Sequence, residues 1–291
     1  MKIIQSYWSK PYDKMIGSCI GGWFNKTFHY MSCAFSCLKA AEFYPVELIT
    51  DKKGKKILID DIGLPYTSCD DSLDIIDYPI DLWAVGKLFA YNFQNEPFIH
   101  MDNDIYIWKP FPTEMINSPL ISQSLEESYD FYKEIYTNIL KYFEYIPSQI
   151  LDYRKKDTKF NAVNAGLLGG NNIQFIKEYV KEALCFIERN LNSLNKLKDP
   201  GSFNLIFEQY LFYCMAQNKK ETIYYYLPEK MDSRFKELVS FWTVPNQNSY
   251  IHAIASYKKY YIICEQMTQR LWYEYPEYYK RIHQLINMKR I

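Results

Sequence analysis

A run of apolar residues that leads directly into two aspartates is the feature of this sequence that most constrains its fold. The stretch Pro97-Phe-Ile-His-Met-Asp102-Asn-Asp104-Ile-Tyr-Ile-Trp108 has apolar residues on both sides of the acids. The two carboxylates therefore lie where a buried strand ends, and desolvating them is costly unless a cation meets them. Mg²⁺ and Mn²⁺ prefer hard oxygen ligands, which favours a divalent metal that carries a phosphorylated substrate. A bare Asp-x-Asp is more often a solvated turn, and the apolar flanks favour the metal site here.

The spacing of apolar residues predicts alternating strands and helices. In the first part of the chain it predicts strands at Ile3–Trp8, Val46–Thr50, Tyr66–Cys69 and Pro97–Met101, helices at Thr27–Phe43 and Asp81–Asn92, and a polar turn at Lys52–Lys56. Further on it predicts a helical insertion at Leu125–Tyr153, an apolar run at Phe160–Gly170, helices at Asn172–Asn190, Ser202–Gln217 and Gln266–Met288, and a strand or loop at Ser249–Ala255. This alternation indicates an α/β fold with an at least partly parallel sheet.

Composition bounds the class of protein. Hydrophobic residues make up 48% of the 291 residues, which is enough for a sizeable core. Lys and Arg number 34, as do Asp and Glu, and the resulting zero formal charge argues against a general nucleic-acid surface. The chain shows no internal repeat and no Pro-rich linker, so one domain is the simplest interpretation.

Cysteine usage and the N-terminus predict a cytoplasmic protein. The seven cysteines are odd in number, lack a Cys-x-x-Cys pair and lie mostly in apolar stretches, so we expect reduced thiols. The chain begins with a strand-like run and no signal-peptide pattern. The longest apolar stretch, Phe203–Ala216, is too short to span a bilayer and contains Glu208 and Gln209. We therefore expect no transmembrane segment.

Two further features fit a site for phosphate and sugar. Lys87 follows Trp83, Ala84 and Val85 on the helix before the Asp-x-Asp strand, where a lysine either extends to solvent along apolar surface or binds phosphate. The stretch Asn164-Ala-Gly166-Leu-Leu-Gly169-Gly170 has small residues that allow a ligand close to the backbone, although a strand edge and turn would have the same pattern.

Two more features follow later in the chain. Glu208 and Gln209 lie inside an apolar helix, where polar side chains are costly unless they are paired, whether with a ligand or in a structural hydrogen bond. His252 can complete a metal site that two carboxylates begin, although a lone histidine is more often structural. Lys258, six residues further on, could reach a diphosphate.

The order of these features resembles that of nucleotide-sugar glycosyltransferases with the GT-A fold, in particular the glycogenin-like and lipopolysaccharide galactosyltransferase-like retaining families. The matching motifs span nearly the whole chain and are Lys87, Asp102-Asn-Asp104, Asn164-Ala-Gly166, Glu208-Gln209 and His252 through Lys258. Three positions depart from the pattern: Glu208 replaces an Asp, Ala255 replaces a Gly, and Lys259-Tyr260 stands where Pro-Trp commonly follows the lysine. The departures leave retention and inversion of the anomeric centre both open.

The resemblance implies a fold, a reaction and a role for each motif. It implies a single GT-A domain over 1–291 with a mostly parallel mixed central sheet, a nucleotide- and metal-binding half at 1–110, an acceptor-side half at 111–265 and a C-terminal helical region at 266–291. The implied reaction is transfer of a sugar from a nucleoside diphosphate sugar, with UDP favoured, to an unknown acceptor. Asp102, Asp104 and His252 would bind Mn²⁺ or Mg²⁺.

The resemblance also assigns the remaining site residues. Lys87, Lys258 and Asn103 would contact the nucleotide-sugar donor. Asn164 and Gly166 would both bind the sugar and the acceptor. Glu208 or Gln209 would face the anomeric carbon, with Glu208 as the base if the enzyme inverts. The end of the first strand, Tyr7 and Trp8, is expected to border the nucleobase because ligands gather at the carboxyl ends of strands.

Other classes of protein share parts of this pattern. A phosphatase of the haloacid dehalogenase type also has Asp-x-Asp at a strand end, but near the N-terminus and with a different following residue. A nucleotidyltransferase would need a glycine-rich N-terminal loop, which Gly21-Gly22 matches poorly. A carbohydrate- or nucleotide-sugar-binding protein that kept the fold without turnover remains the main alternative.

The insertion Leu125–Lys159 is the last region with a predicted role. It ends in the charged run Arg154-Lys-Lys-Asp157-Thr-Lys159 and falls between the Asp-x-Asp strand and Asn164. We expect it to form acceptor-binding surface, with the charged run as a mobile loop that closes over bound donor and excludes water. Charged runs are also commonly solvated loops with no such role.

Overall fold

The computed structural model describes residues 1–13, 20–228 and 235–291. The strands are β1 (Lys2–Tyr7), β2 (Val46–Thr50), β3 (Ser68–Asp70), β4 (Phe98–Met101), β5 (Ile105–Ile107), β6 (Leu120–Glu126), β7 (Ala162–Val163), β8 (Leu167–Gly170), β9 (Ile223–Leu227) and β10 (Tyr250–His252). The α-helices are α1 (Lys10–Asp13), α2 (Lys26–Ala41), α3 (Lys52–Lys55), α4 (Val85–Asn92), α5 (Thr113–Ile116), α6 (Asp130–Tyr142), α7 (Ser148–Lys156), α8 (Ile173–Glu188), α9 (Leu211–Lys219), α10 (Phe235–Leu238), α11 (Tyr261–Glu274) and α12 (Pro276–Asn287). Lys56–Asp61 and Leu205–Tyr210 are π-helical.

The predicted α/β class with a mostly parallel mixed sheet flanked by helices is confirmed. β1 pairs in parallel with β2, and β2 pairs in parallel with β3. β6 is parallel to β9 and antiparallel to β7 and β8. β5 and β10 form a separate antiparallel pair.

The chain forms two compact units that alternate along the sequence. The first unit comprises Met1, Ile76–His100 and Pro112–Asp232, and the second comprises Lys2–Ile75, Met101–Phe111 and Ser233–Ile291. The proposed division at 110 and 265 within one domain is not tested by these units and stays a prediction.

Helix α2 lies at the centre of the second unit. Its N-terminus is capped by Asn25, whose side chain accepts a hydrogen bond from the Phe28 backbone amide at 3.1 Å. Helices α11 and α12 pack against α2 and against each other. The buried face of α2 carries Ser32 and Ser36 among apolar residues, and Gln5 of β1 donates to Ser36 at 2.8 Å. The two serines are therefore held in the core, where they can bond neighbouring segments.

The first unit packs helices α4, α8 and α9 around its strands. The rings of Phe143, Phe186 and Phe203 meet edge to face, with Phe203 4.9 Å from each of the other two. Gly169 of β8 lies against β4, because a Cβ there would fall 2.2 Å from the Phe98 carbonyl oxygen. Only glycine allows this close approach of the two strands.

Several predicted segments differ from the structure, including the helical insertion at Leu125–Tyr153, whose first two residues end β6. The turn predicted at Lys52–Lys56 was wrong, since α3 and a π-helix occupy it; Asp51 caps α3 by accepting from the Gly54 amide at 2.7 Å. The helix predicted at Ser202–Gln217 begins as a π-helix at Leu205. The predicted loop Arg154–Lys159 was wrong in its first half, because Arg154 lies in the last turn of α7. There the Arg154 guanidinium stacks on the Phe160 ring at 3.8 Å.

Within the described ranges, no helix has both the length and the apolar character needed to cross a membrane. Six cysteines are free thiols, and Cys19 lies outside the described residues.

Candidate functional site

The predicted metal ligands of the second unit lie together. One ligand atom each from Asp102, Asp104 and His252 lies within 4.8 Å of the others. The two aspartates belong to the turn between β4 and β5, and His252 is the last residue of β10. The antiparallel register pairs His252 with Ile105, which is the residue after Asp104. Strand pairing therefore brings the imidazole to the Asp-x-Asp turn.

Hydrogen bonds from the core fix the backbone of this turn. The Ser32 hydroxyl donates to the Asn103 carbonyl at 2.8 Å, and the Ser36 hydroxyl donates to the Asp102 carbonyl at 3.2 Å. The Asn103 amide donates to the Ser6 carbonyl at 2.8 Å. The side chain of Asn103, which was predicted to contact the donor, thus anchors the turn to β1 through its nitrogen.

A strong positive field acts on Asp104. Lys258 donates to Asp104 Oδ2, and His252 Nε2 lies 3.4 Å from Asp104 Oδ1. Burial alone would raise the pKa of Asp104, but the charges of Lys258 and His252 outweigh it and hold the pKa far below its usual range. Asp104 is therefore ionised at neutral pH and available as a ligand.

The donor set fits a hard divalent ion. Two carboxylates and an imidazole are ligands that Mn²⁺ and Mg²⁺ sites accept. Asn103 Oδ1 is a buried acceptor that finds no hydrogen-bond donor among the described residues, and Asp104 Oδ1 lies 3.4 Å from His252 Nε2. Buried acceptors without donors are costly, and a cation would satisfy them.

The predicted nucleobase border, Tyr7 and Trp8, is buried in the second unit. Their exposed fractions are 1% and 4%, and the Tyr7 ring lies 5.2 Å from that of Tyr12 and 5.8 Å from that of His29. Packing on both neighbours leaves Tyr7 little free face for stacking on a base. The Trp8 indole nitrogen finds no acceptor within the described part of the chain, so it is the polar atom there that a ligand could use.

The other predicted residues lie together in the first unit, in a buried polar cluster. Lys87 Nζ lies 3.0 Å from Glu208 Oε1, and Glu208 has no exposed surface. The Lys87 ammonium also lies 5.4 Å from the centre of the Trp83 ring. The predicted contact of Lys87 with a diphosphate stays a prediction; in the structure its partner is Glu208.

Glu126 belongs to this polar cluster, and sequence reasoning missed it. Its Oε1 accepts from the Asn164 amide at 2.7 Å, and its Oε2 accepts from the Tyr132 hydroxyl at 2.5 Å. The Tyr132 hydroxyl also lies 2.9 Å from Gln209 Oε1. Glu126 ends β6, whereas the sequence pattern assigned its neighbourhood to a helical insertion. An acid at the end of a strand is the signal that could have found it, as it found Asp102.

Local backbone geometry positions the polar side chains of this cluster. Asn164 follows β7, and its Oδ1 accepts from the Gly166 amide at 3.0 Å. The Tyr179 hydroxyl donates to the Glu208 carbonyl at 2.8 Å, within the π-helical turn that carries Glu208 and Gln209. Burial, followed by the charge of Glu126, raises the pKa of Tyr132 well above its ordinary value. Tyr132 therefore stays protonated and can donate.

A cavity of about 400 Å³ opens on the first unit between α6, which belongs to the predicted acceptor insertion, and the segment 197–205. Apolar side chains line it together with polar and charged ones. They are Phe131, Glu134, Ile135, Asn138, Leu197, Lys198, Asp199, Ser202 and Leu205. The Phe131 ring lies 4.5 Å from that of Tyr132, so the wall of the cavity adjoins the buried polar cluster.

Residues 1–285 match DUF6734, which is described as a family of unknown function. The chain belongs to this family. No curated protein matches this DUF6734 member.

Two solved structures are similar to this member of DUF6734. The glycosyltransferase GlyE of Streptococcus pneumoniae TIGR4 is 11% identical with a TM-score of 0.41, and the match covers 99% of this chain and 63% of GlyE. An active-site mutant of LgtC is also 11% identical, with a TM-score of 0.38 and 70% of each chain covered. This chain thus spans less than two thirds of the length of GlyE. At 11% identity, neither structure indicates which reaction the DUF6734 member carries out. A functional proposal must therefore be based on its own two groups of polar residues.

Proposed function

We propose that this protein is a metal-dependent glycosyltransferase that uses a nucleoside diphosphate sugar, with UDP as the favoured nucleotide. The observation that supports this most is the convergence of Asp102, Asp104 and His252 at the end of a buried strand. These residues would hold Mn²⁺ or Mg²⁺. A bound divalent ion neutralises the charge that develops on a departing diphosphate.

Lys258 has a second role in this proposal. Its ammonium is bonded to Asp104 in the structure and holds that carboxylate in place. When the acid is engaged elsewhere, the lysine can turn to a phosphate oxygen, because its side chain is flexible and retains 18% exposure. Lys258 would then add positive charge on the diphosphate.

The buried polar cluster of the first unit is proposed to recognise sugar hydroxyls. Glu126, Asn164 and Gln209 present the acceptors and donors that hydroxyl groups need, and Tyr132 orients two of them. Lys87 holds the Glu208 carboxylate in place, which would present that acid to the reacting sugar. The acceptor is proposed to bind on the α6 side, where the cavity opens.

The test measures nucleotide binding and turnover separately. Isothermal titration with UDP should give binding that depends on Mn²⁺ and disappears with EDTA, and UMP should bind more weakly because it lacks the β-phosphate. A panel of UDP- and GDP-sugars incubated with Mn²⁺ should release the nucleotide diphosphate from one of them. Binding of no nucleotide in the presence of Mn²⁺ would contradict the proposal.

A nucleotide-sugar-binding protein without turnover is the second candidate. The observation that favours it is that lysines already pair with both key acids, Asp104 and Glu208. Mn²⁺-dependent binding of a sugar nucleotide, with no hydrolysis or transfer over long incubation, would favour this candidate over the enzyme.

A further inference from the structure

Helix α11 has apolar residues on two opposite faces. One face, which includes Ile263, Met267 and Leu271, is buried in the second unit. The opposite face exposes the large side chains of Tyr261, Ile262, Trp272 and Tyr273, which are 53%, 57%, 54% and 78% exposed. A surface helix normally has a polar outer face, so this outer face is unusual.

The exposed side chains line up along the helix. Tyr261 and Trp272 are eleven residues apart, as are Ile262 and Tyr273, and eleven residues make about three full turns of an α-helix. Each pair therefore lies on nearly the same side, separated by about 16 Å along the axis. Glu265 and Gln269 lie between them on this face. Several large exposed apolar side chains on one helix face are typical of an interaction site.

The C-terminal segment that carries this aromatic face is rich in basic residues. Residues 258–291 contain seven Lys and Arg against three Glu, whereas the whole chain has no net charge. Helix α12 packs against α11 and exposes Lys280 and Arg281 on its outer side. Some of the basic residues are engaged: Arg290 pairs with Asp61 at 2.6 Å, and the Arg281 guanidinium lies over Gly63. Lys280 and Lys289 are exposed.

We propose that the outer face of α11 and the basic side of α12 form a peripheral binding surface for an anionic membrane. Trp and Tyr are the side chains that favour the lipid headgroup level, since one end of each is apolar and the other polar. Lysine and arginine beside them attract anionic lipids. The exposed Ile262 favours lipid over a sugar ligand, which would stack on aromatic rings alone. This surface is independent of the proposed transferase activity.

Vesicle co-sedimentation of the full chain tests the proposal. Vesicles of phosphatidylcholine with phosphatidylglycerol should sediment the protein, and vesicles of phosphatidylcholine alone should do so much less. The triple variant Tyr261→Ser, Trp272→Ser, Tyr273→Ser should lose binding roughly tenfold or more, because each buried aromatic contributes strongly at an interface. The matched control is Leu140→Ser with Leu151→Ser, which removes exposed apolar side chains from α6 and α7. The control should bind like the wild type.

Charge and fluorescence give readouts that do not depend on the triple variant folding. Lys280→Glu with Lys289→Glu should weaken binding to anionic vesicles and reduce its sensitivity to salt. Brominated lipid should quench the fluorescence of the wild type more than that of Trp272→Phe. Failure of the wild type to bind anionic vesicles, or equal loss in the control, would overturn the proposal. So would a dimer that the aromatic substitutions split without any vesicle binding, since the face would then be a subunit interface.

Discussion

The metal-ligand group of the second unit (Asp102, Asp104 and His252) and the buried polar cluster of the first unit differ in the partners of their charged side chains. In the second unit, Asp104 lies between the Lys258 ammonium and the His252 imidazole, whose Nε2 is 3.4 Å from Asp104 Oδ1. In the first unit, Lys87 pairs with the fully buried Glu208, while amide and hydroxyl groups surround Glu126. The first arrangement has ligand atoms to offer a cation. The second has hydrogen-bonding groups to offer a neutral, hydroxylated ligand.

The difference suggests separate tasks for the two clusters. A carboxylate held beside flexible cations can exchange its partner for a metal ion, because Lys258 retains access to solvent. An ion pair that is nearly without exposed surface cannot be broken cheaply, so Lys87 and Glu208 are a fixed part of their site.

Removing the charge of Asp104 should have the largest effect on ligand binding. Asp104→Asn should reduce Mn²⁺-dependent UDP binding by roughly a thousandfold, since a lost carboxylate ligand costs several kcal/mol. Isothermal titration with UDP and Mn²⁺ measures the change. Asp60→Asn is the matched control, because Asp60 is an exposed acid of the same unit. Retained binding in Asp104→Asn would remove this residue from the metal site.

Breaking the buried ion pair of the first unit should have the largest effect on stability. Glu208→Gln removes the carboxylate that pairs with the buried Lys87 ammonium and should lower the free energy of unfolding by about 3 kcal/mol. The double variant Lys87→Met, Glu208→Leu should recover much of this loss, because neither charge of the pair is then left buried without the other. Urea denaturation measures both. A Glu208→Gln protein as stable as the wild type would show that the two clusters do not differ in rigidity.

Glu126→Gln should separate the roles of the clusters. The substitution keeps the size of the side chain but removes the charge that accepts from Asn164 and Tyr132. We expect UDP binding to be unchanged and turnover of the sugar nucleotide to fall by roughly a hundredfold, as for the loss of one polar contact in a transition state. Steady-state hydrolysis beside UDP titration gives both values. If Glu126→Gln weakened UDP binding as much as it slowed turnover, the buried polar cluster of the first unit would not act on the sugar alone.

Lys258→Ala should change the affinities for Mn²⁺ and for UDP in opposite directions. It removes the cation that competes for Asp104, so Mn²⁺ alone should bind more tightly, while UDP should lose roughly tenfold in affinity from the lost charge on the β-phosphate. The affinity for UMP should fall less than the affinity for UDP. Lys87→Ala serves as the comparison in the other unit, and equal losses for UDP and UMP in Lys258→Ala would place this lysine away from the β-phosphate.

The smallest expected effect is a dependence of stability on pH through His29. Burial, followed by the charge of Lys258, lowers the pKa of His29 to about 3, although Asp104 opposes this shift. Between pH 3 and 6.5 the unfolded chain binds more protons at His29 than the folded one, so stability is full above pH 6.5 and falls with acidification. The loss at pH 5.5 relative to pH 7.5 should be about 1 kcal/mol. His29→Gln should lose less than the wild type over this range in urea denaturation.

Prediction from the sequence succeeded where local pattern determines structure. The strand Phe98–Met101 and the acids after it follow from the order of apolar and charged residues, and so does the capped helix α8. It failed at Lys52–Lys56, where the cap from Asp51 and the close packing around Gly54 make a helix of a polar segment. It also failed to find Glu126, because no local pattern shows that Asn164 and Tyr132 lie beside this acid.

The order of residues along the chain is enough to predict the α/β class and the strand end at which Asp102 and Asp104 lie. Both follow from the periodicity of apolar residues over short stretches, because that periodicity determines which face of a strand or helix is buried. The folded chain is needed to see that His252 lies beside Asp104, that Lys258 is the counter-ion of Asp104 and that Lys87 pairs with Glu208. These partners are distant in sequence, and strand register and the cost of burying charge select them once the chain has folded.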